Sequence, residues 1–412
     1  MNQLKGDLSV LLKDQAVMTL IRFMEAHEHE TRYVGGAVRD ALIGRSFTDI
    51  DLATNVPPEM VMRILEGTGY KVIPTGLDHG TVTVVLGDQR TVEITSLRED
   101  VETYGRYAKT VWTDDWKADA ARRDFTFNAI SVDQYGRLYD YFGGRSDLAK
   151  GLVRFIGEPT ERIKEDYLRI LRFFRFYGGY GRGDINSEGL AACRKLADNI
   201  KTLARERIRQ EIFKLLRYRN PIAALNHLSK DPFRAAIIDI MWNINKVSKL
   251  IDYEINIGNL SPMRRLFALW GDKEPRVIKK PLRLSNREVQ TLKKIKDALD
   301  QISAGETIMK VAYRISKDRT IDALIIHFAS NGLDKAELKQ KIQRLTQTKI
   351  PDFPLDGVDL MEIGLQGSAL GDALFKAEDY WLTENFKPDK QALMAWVREK
   401  VDPLSGDDSV GH

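Results

Sequence analysis

The sequence predicts an α+β protein, with a head built on a mixed sheet with helices against it, followed by a helical neck, body and tail. Three observations predict this. Residues 70–74, 80–86 and 90–96 are short runs rich in β-branched side chains, separated by Gly and Asp turns, the pattern of neighbouring strands. Ahead of them Val17, Leu20, Ile21 and Met24 recur at helical spacing. From residues 165–176 onward the apolar spacing is helical. Four parts are expected: head 1–145, neck 146–220, body 221–345 and tail 346–412.

The 412 residues suffice for two to four compact units. Hydrophobic residues at 43% and charged residues at 30% are those of an ordinary globular chain. A net charge of +4 permits a nucleic-acid partner without demanding one, because a local patch matters more than the sum. The single Cys193 excludes an internal disulfide framework and a multi-cysteine metal site. Early charges in the first fifteen residues argue against a signal peptide, and no apolar run has the length of a membrane span. A cytoplasmic location without a membrane partner is the expectation; oligomeric state, monomer or dimer, stays open.

After a leading helix over 13–28 comes the most informative stretch, residues 33–52, YVGGAVRDALIGRSFTDIDL. Gly35 and Gly36 let backbone N–H groups approach a phosphate, and a helix starting just after them points its positive end the same way. Arg39 and Asp40 fall in that helical segment as candidate nucleotide binders. Asp49 and Asp51, at i and i+2 of a strand-like run, project from one face, where two carboxylates can hold one or two Mg2+ ions against a triphosphate. The combination resembles the opening signature of nucleotidyltransferases with a DNA polymerase β-like head. Within that superfamily it is similar to the class II tRNA nucleotidyltransferases (CCA-adding enzymes) and bacterial poly(A) polymerases.

Residues 55–58, NVPP, signal a second helix start. In the last of the three strands Glu93 faces opposite to Val92 and Ile94. The resemblance makes it a candidate third catalytic carboxylate; a solvent-facing strand residue is the equal alternative. His79, beside Gly80 in a turn, reads as structural or substrate-adjacent. Residues 97–116 are charged and irregular and read as a loop. The resemblance makes this the family's flexible loop, associated with the final adenosine step, and its full length favours complete CCA addition or A addition.

Residues 120–130, AARRDFTFNAI, follow. Arg122 and Arg123 offer forked donors to phosphates and ribose oxygens, and Asp124 can accept from a ribose 2′-OH. The string closely matches the family's RRD(F/L)TxNA element, which brings Asn128 into the nucleotide-binding set; Phe127 replaces an aliphatic residue and preserves bulk.

In residues 165–176, EDYLRILRFFRF, Asp166 and Arg169 lie side by side at i and i+3 if helical, with Arg172 and Arg175 continuing the row. A carboxylate beside a guanidinium matches the amino-donor and ring-acceptor edge of cytosine and adenine. Guanine and uracil mismatch both contacts, at about 1–3 kcal/mol for each unpaired polar group. That discriminates roughly 10²- to 10⁴-fold without a nucleic-acid template. The string resembles the family's protein-template element, which implies that Asp166 and Arg169 read the base, while Arg172 and Arg175 support it or reach toward the triphosphate. By the same resemblance Glu206 and Arg207 brace the neck.

The C-terminal half carries recurring basic residues, Arg264 and Arg265 among them, which track an RNA backbone in part and lie on solvated faces for the most part. Gly367 and Gly371 stand at a helix start that approaches a phosphate or packs tightly. What the resemblance implies for the whole chain is addition or repair of the tRNA 3′-terminal CCA from CTP and ATP, with Mg2+ and with the tRNA acceptor arm on the C-terminal domains. A-only, CC-only and poly(A) addition share these motifs. An RNA-binding protein with an inactive head, or a transferase acting on a small molecule, are the readings from other classes.

Overall fold

The computed structural model describes residues 4, 6–77, 80–104, 107–271 and 273–400, the side chains of 100–110 excepted. His79 falls outside them. The chain forms two compact units, Met1–Ile244 with Ile278–Leu284, and Asn245–Val277 with Ser285–His412.

In the first unit α1 (Ser9–Leu12) and α2 (Gln15–Glu25) lead into β1 (Thr31–Val34), α3 (Gly35–Leu42), β2 (Asp51–Thr54) and α4 (Pro58–Leu65). The Asp14 carboxylate caps α2 by accepting from the Val17 N–H, and the apolar stripe read from the sequence is fully buried. Pro58 opens α4, where its missing N–H removes nothing from the helix. The three expected strands are β3 (Lys71–Gly76), β4 (Thr81–Val85) and β5 (Thr91–Ser96).

After them come β6 (Arg98–Tyr104), β7 (Tyr107–Trp112), α5 (Trp116–Ala121), β8 (Ser131–Val132) and β9 (Leu138–Tyr139). The main sheet runs β3-β4-β5-β2-β1-β8-β9. Its neighbours pair antiparallel except β2 and β5, which run parallel with Asp51 opposite Glu93. That one parallel pair makes the sheet mixed, as expected.

Residues 97–116 differ from the irregular loop expected. β6 and β7 form an antiparallel hairpin with Arg98 opposite Trp112. Valine, threonine, tyrosine and tryptophan supply β-propensity there, and the density of charge concealed it.

The neck comprises α6 (Gly144–Lys150), α7 (Pro159–Glu165), α8 (Leu168–Tyr180), α9 (Ser187–Leu196) and α10 (Arg205–Leu216). α8 buries Ile170, Leu171, Phe173, Phe174 and Phe176. Phe125 lies 4.8 Å from Phe155 and 5.2 Å from Phe176, and Phe127 lies 5.5 Å from Phe176, centroid to centroid. These ring contacts, each about 0.5–1.5 kcal/mol beyond area burial, fasten the segment after Asp124 to α8.

The second unit is helical. Its tail closes over Trp381 with Leu360, Leu382, Leu393 and Val397. Arg264 and Arg265 correct the expectation for that half, since they are neither solvated nor within reach of RNA. Both are buried, Arg264 on Glu254 at 3.0 Å and on Asp322 at 2.9 Å, and Arg265 on Glu254 at 2.5 Å. Of the two alternatives for Gly367 and Gly371 the structure removes tight packing, because a Cβ on either would meet nothing within 4 Å. Among the described residues no helix is long and apolar enough to cross a membrane.

Candidate active site

A cavity of about 440 Å³ opens in the first unit, lined by Gly35, Gly36, Arg39, Asp51, Arg122, Arg123, Asp124, Asn128, Asp166, Leu168, Arg169, Arg172, Phe176 and Arg207. The structure thus gathers residues from four separate sequence stretches.

At one wall, β1 turns directly into α3. The helix begins at Gly35 itself rather than after the glycines, with Gly35 at φ 72°, a conformation that side-chain-bearing residues rarely adopt. A Cβ on Gly35 would stand 3.2 Å from an Asp51 carboxylate oxygen, so the glycine keeps the floor open beside that acid. The same turn explains a correction. β1 ends at Val34 opposite Asp51, so residue 49 has no strand to pair with and β2 starts at Asp51. Asp49 sits in the preceding loop, exposed, accepting from the Thr48 hydroxyl at 3.2 Å.

Asp51 lines the cavity; Asp49 and Glu93 do not. Burial pushes the Asp51 carboxyl up, Glu93 and then Asp49 push it further, and Arg123 pulls it part of the way back. Glu93 is exposed between buried Val92 and Ile94, as its strand pattern predicted. Among the described residues no group of three or more His, Cys, Asp or Glu side chains forms a metal cage by itself.

Arg122 and Arg123 converge on a residue the sequence reading missed. Asp119, 3% exposed, accepts from Arg122 at 2.6 and 2.8 Å and from Arg123 at 3.3 and 3.4 Å. Burial alone raises its carboxyl; Arg123 and Arg122 outweigh that and hold it below the usual range. The signal was present: D-x-x-R-R puts one acid at i, i+3 and i+4 to two arginines. Asp124 accepts from the Phe125 N–H at 2.9 Å, from Asn128 at 3.0 Å and from two nitrogens of Arg172 at 2.6 Å. Four donors fill a carboxylate, so Asp124 serves here as the holder of Asn128 and Arg172.

The protein-template pair differs from the single helix expected. Asp166 stands at the break between α7 and α8 in an extended conformation, and its carboxylate accepts from the Leu168 N–H at 3.0 Å. An aspartate that bonds the backbone two residues on starts a new helix in preference to continuing the old one. Asp166 also takes both arms of Arg207, at 3.2 and 2.7 Å. Arg169, in the first turn of α8, is held by Glu165 at 2.6 Å and by the Arg162 carbonyl at 2.9 Å. Arg162 in turn donates to the carbonyls of Arg122 and Arg123. Arg162 and Phe176 are therefore site residues beyond those named from the sequence, and Arg207, expected to brace the neck, holds Asp166 in the site itself. Arg207 sits 41 positions from its partner, a separation no local pattern reveals.

Two expected nucleotide binders stand behind the wall. Asp40 holds Arg39 at 3.1 and 3.0 Å, and Arg175 bonds Glu211 and the Tyr218 hydroxyl. Glu206 pairs with Arg283 at 3.3 Å, both exposed.

Comparison with known proteins adds to this geometry. The family described as the poly A polymerase head domain matches residues 31–154, and the one described as a probable RNA and SrmB-binding site of polymerase A matches residues 184–238. The human mitochondrial CCA tRNA nucleotidyltransferase 1 is 33% identical over 407 residues, 93% of this chain and 90% of the relative. The chain belongs to the class II CCA-adding enzyme family. The Staphylococcus aureus CCA-adding enzyme (strain MRSA252) is 35% identical, with 90% and 94% covered. The crystal structure of the Bacillus stearothermophilus CCA-adding enzyme in complex with CTP aligns at a TM-score of 0.77 and 26% identity, over 93% of this chain and 96% of that one. The Thermotoga maritima CCA-adding enzyme complexed with tRNA aligns at 0.65 and 20% identity, a likeness of fold. Within the family frame the head is the polymerase β-like domain expected, and the helical remainder is the family's.

Proposed function

We propose that the protein adds or repairs the 3′-terminal CCA of tRNA, taking CTP and ATP and releasing pyrophosphate. The observation that carries the proposal is one cavity holding a phosphate-type turn at Gly35 and Gly36, the acid Asp51, the Asp166 and Arg169 pair and five further arginines. The relatives that share most of the chain are named for the same activity.

The acids fit Mg2+: hard oxygen donors, with Asp51 under burial and the repulsion of Glu93 and Asp49, a surplus of negative charge that a divalent cation relieves. Bound there, Mg2+ lowers the pKa of the attacking 3′-OH and stabilises the departing pyrophosphate. Asp49 and Asp51 are the ligands in this reading, with Glu93 beside them. Gly35, Gly36 and Arg39 position the triphosphate. Arg122 and Arg123 take phosphate and ribose oxygens with Asn128, and Arg172, oriented by Asp124, supports the base or reaches toward the triphosphate. Asp166 and Arg169 read the base. Arg207 and the Leu168 N–H occupy three acceptor positions of the Asp166 carboxylate, which keeps one, on Oδ2, for an exocyclic amino group. Arg169 keeps donors for a ring nitrogen in the same way.

The four-part division carries over into the proposal: catalysis in 1–145, base reading in 146–220, tRNA acceptor-arm binding in 221–345 and 346–412. The cytoplasmic location is proposed with it, although the human and mouse relatives are named mitochondrial; fractionation of the source cell decides it.

The test is incorporation of single labelled nucleotides, with Mg2+, onto tRNAs ending before CCA, after C and after CC. Ordered growth of all three to a finished CCA end is expected. Growth of the CC-ended tRNA alone, a stop after two cytidines, or an unlimited A ladder would each replace the proposal with the A-adding, CC-adding or poly(A) activity. No incorporation would leave an RNA-binding protein.

A further inference from the structure

One stripe runs along α8: Arg169, Arg172 and Phe176, which line the cavity, and then Tyr180 follow at spacings of three, four and four, so they share a face. From Arg169 to Tyr180 the helix rises about 16 Å. Its first turn carries the base-reading arginine and its second the arginine fixed by Asp124. Its last residue, Tyr180, stands outside the cavity and has no part in the chemistry so far described.

Tyr180 nevertheless meets the head. Its hydroxyl donates to Asp40 at 2.7 Å, and its ring lies 4.3 Å from the Arg39 guanidinium carbon. Asp40 accepts both from Arg39 and from Tyr180, and the remaining arm of Arg39 donates to Asn128 at 2.9 Å. Arg39 is thus pinned on an acid, an amide and an aromatic face, and still lines the cavity. Arg45 closes the far side, 4.6 Å from the Tyr180 ring and bonded to the Gly179 carbonyl at 2.7 Å. Burial raises the Tyr180 hydroxyl far above its ordinary range, so it stays protonated and stays a donor.

We propose that Tyr180 is a positioning residue for the nucleotide triphosphate: through Asp40 it sets Arg39, so that α8 fixes both ends of the bound nucleotide. The base meets one end of the helix at Arg169, and the triphosphate meets the other through Arg39. This rests on the reading above that Arg39 contacts the triphosphate. The consequence is a division of labour along one rigid element. Tyr180 governs how tightly any nucleoside triphosphate is held, and has no influence on which base is chosen.

The experiment uses the full chain carrying Y180F, which keeps the ring over Arg39 and removes the hydroxyl. KM and kcat are measured for CTP and ATP, with KM for tRNA and the inhibition constant of inorganic tripolyphosphate, a probe that has no base. KM for both nucleotides and the tripolyphosphate constant are expected to rise by one common factor, about fivefold. The values of kcat, tRNA KM and the preference for CTP over UTP stay within twofold. R39K raises the tripolyphosphate constant as well, and adding Y180F to R39K changes nothing more. D40N, which weakens the same link from the other side, gives the Y180F signature and serves if Y180F fails to fold. If R39K raises the tripolyphosphate constant while Y180F and D40N leave it unmoved, Tyr180 merely packs neck on head and the inference falls alone. If R39K itself leaves tripolyphosphate inhibition unchanged, Arg39 does not hold the triphosphate and both readings fall.

Discussion

Asp119→Asn tests how far the cavity depends on a residue that lies behind its wall. The carboxylate is 5% exposed and carries two short bonds to Arg122, two longer ones to Arg123 and one from the Arg98 N–H at 3.3 Å. The two short bonds are charge-assisted, worth about 1.5 kcal/mol each at the low end for such bonds. The longer ones add little. Asparagine keeps the shape but removes the charge facing two largely buried guanidiniums, so a loss of about 3 kcal/mol is expected, the low edge for breaking a buried ion pair. Because Arg122 and Arg123 hold the Asp119 carboxyl below its ordinary value of 3.8, its contribution is complete above that pH and fades as the folded value is crossed on acidification. Urea titration of wild type and variant should show a constant gap at neutral pH that narrows below about pH 4. KM for CTP and ATP should rise about tenfold as the two arginines lose their alignment, equivalent to about 1.4 kcal/mol. A gap under about 1 kcal/mol at neutral pH, or one that widens in acid, would refute the reasoning.

Other outcomes follow from the same geometry. Asp51→Asn should reduce transfer by more than about 10³-fold without lowering the melting temperature, since it removes a charge that burial, Glu93 and Asp49 all oppose; a clear loss of thermal stability would count against that account. Arg169→Ala should cut the preference for CTP over UTP by about tenfold or more, read from single-nucleotide incorporation; an unchanged preference would remove Arg169 from base reading. Glu254→Gln removes the buried carboxylate that Arg264 and Arg265 share and should destabilise the second unit by about 3 kcal/mol in urea, whereas a neutral result would mean that the network is solvated. Replacing the β6–β7 hairpin by a short glycine linker should leave two-cytidine addition and abolish the adenosine step; finished CCA ends would show the hairpin to be dispensable.

The residues that touch the cavity were legible where chemistry forces a local signature. Gly35 and Gly36 announce a backbone that must come close, and Arg122, Arg123 and Asp124 form a contiguous string. The strands and the first helices were legible for the same reason, since β5 and α2 each bury one periodic face and β4 is a β-branched run buried on both faces. What escaped was whatever depends on the third dimension. Asp166 at the break looked helical because Arg169 follows at i+3, and only its bond to the Leu168 N–H ends the helix. Asp40 and Arg175 sit in the motifs yet face away from the cavity, because their partners, Tyr180 and Glu211, belong to other elements. The hairpin hid behind its charges. Arg264 and Arg265 show the reverse error: basic residues in a helical pattern look exposed until their acids are placed.

Those two arginines also bear on how the protein responds to salt. Counterions condensed on RNA are released only by cations that meet its phosphates. Two of the 63 lysines and arginines are buried against Glu254 and Asp322 inside the second unit and spend their charge on those carboxylates. They release no counterions, and they neither steepen the fall of RNA affinity with ionic strength nor speed encounter. Raising the salt therefore dissociates the RNA before it loosens this network, since buried pairs are screened much less than surface ones.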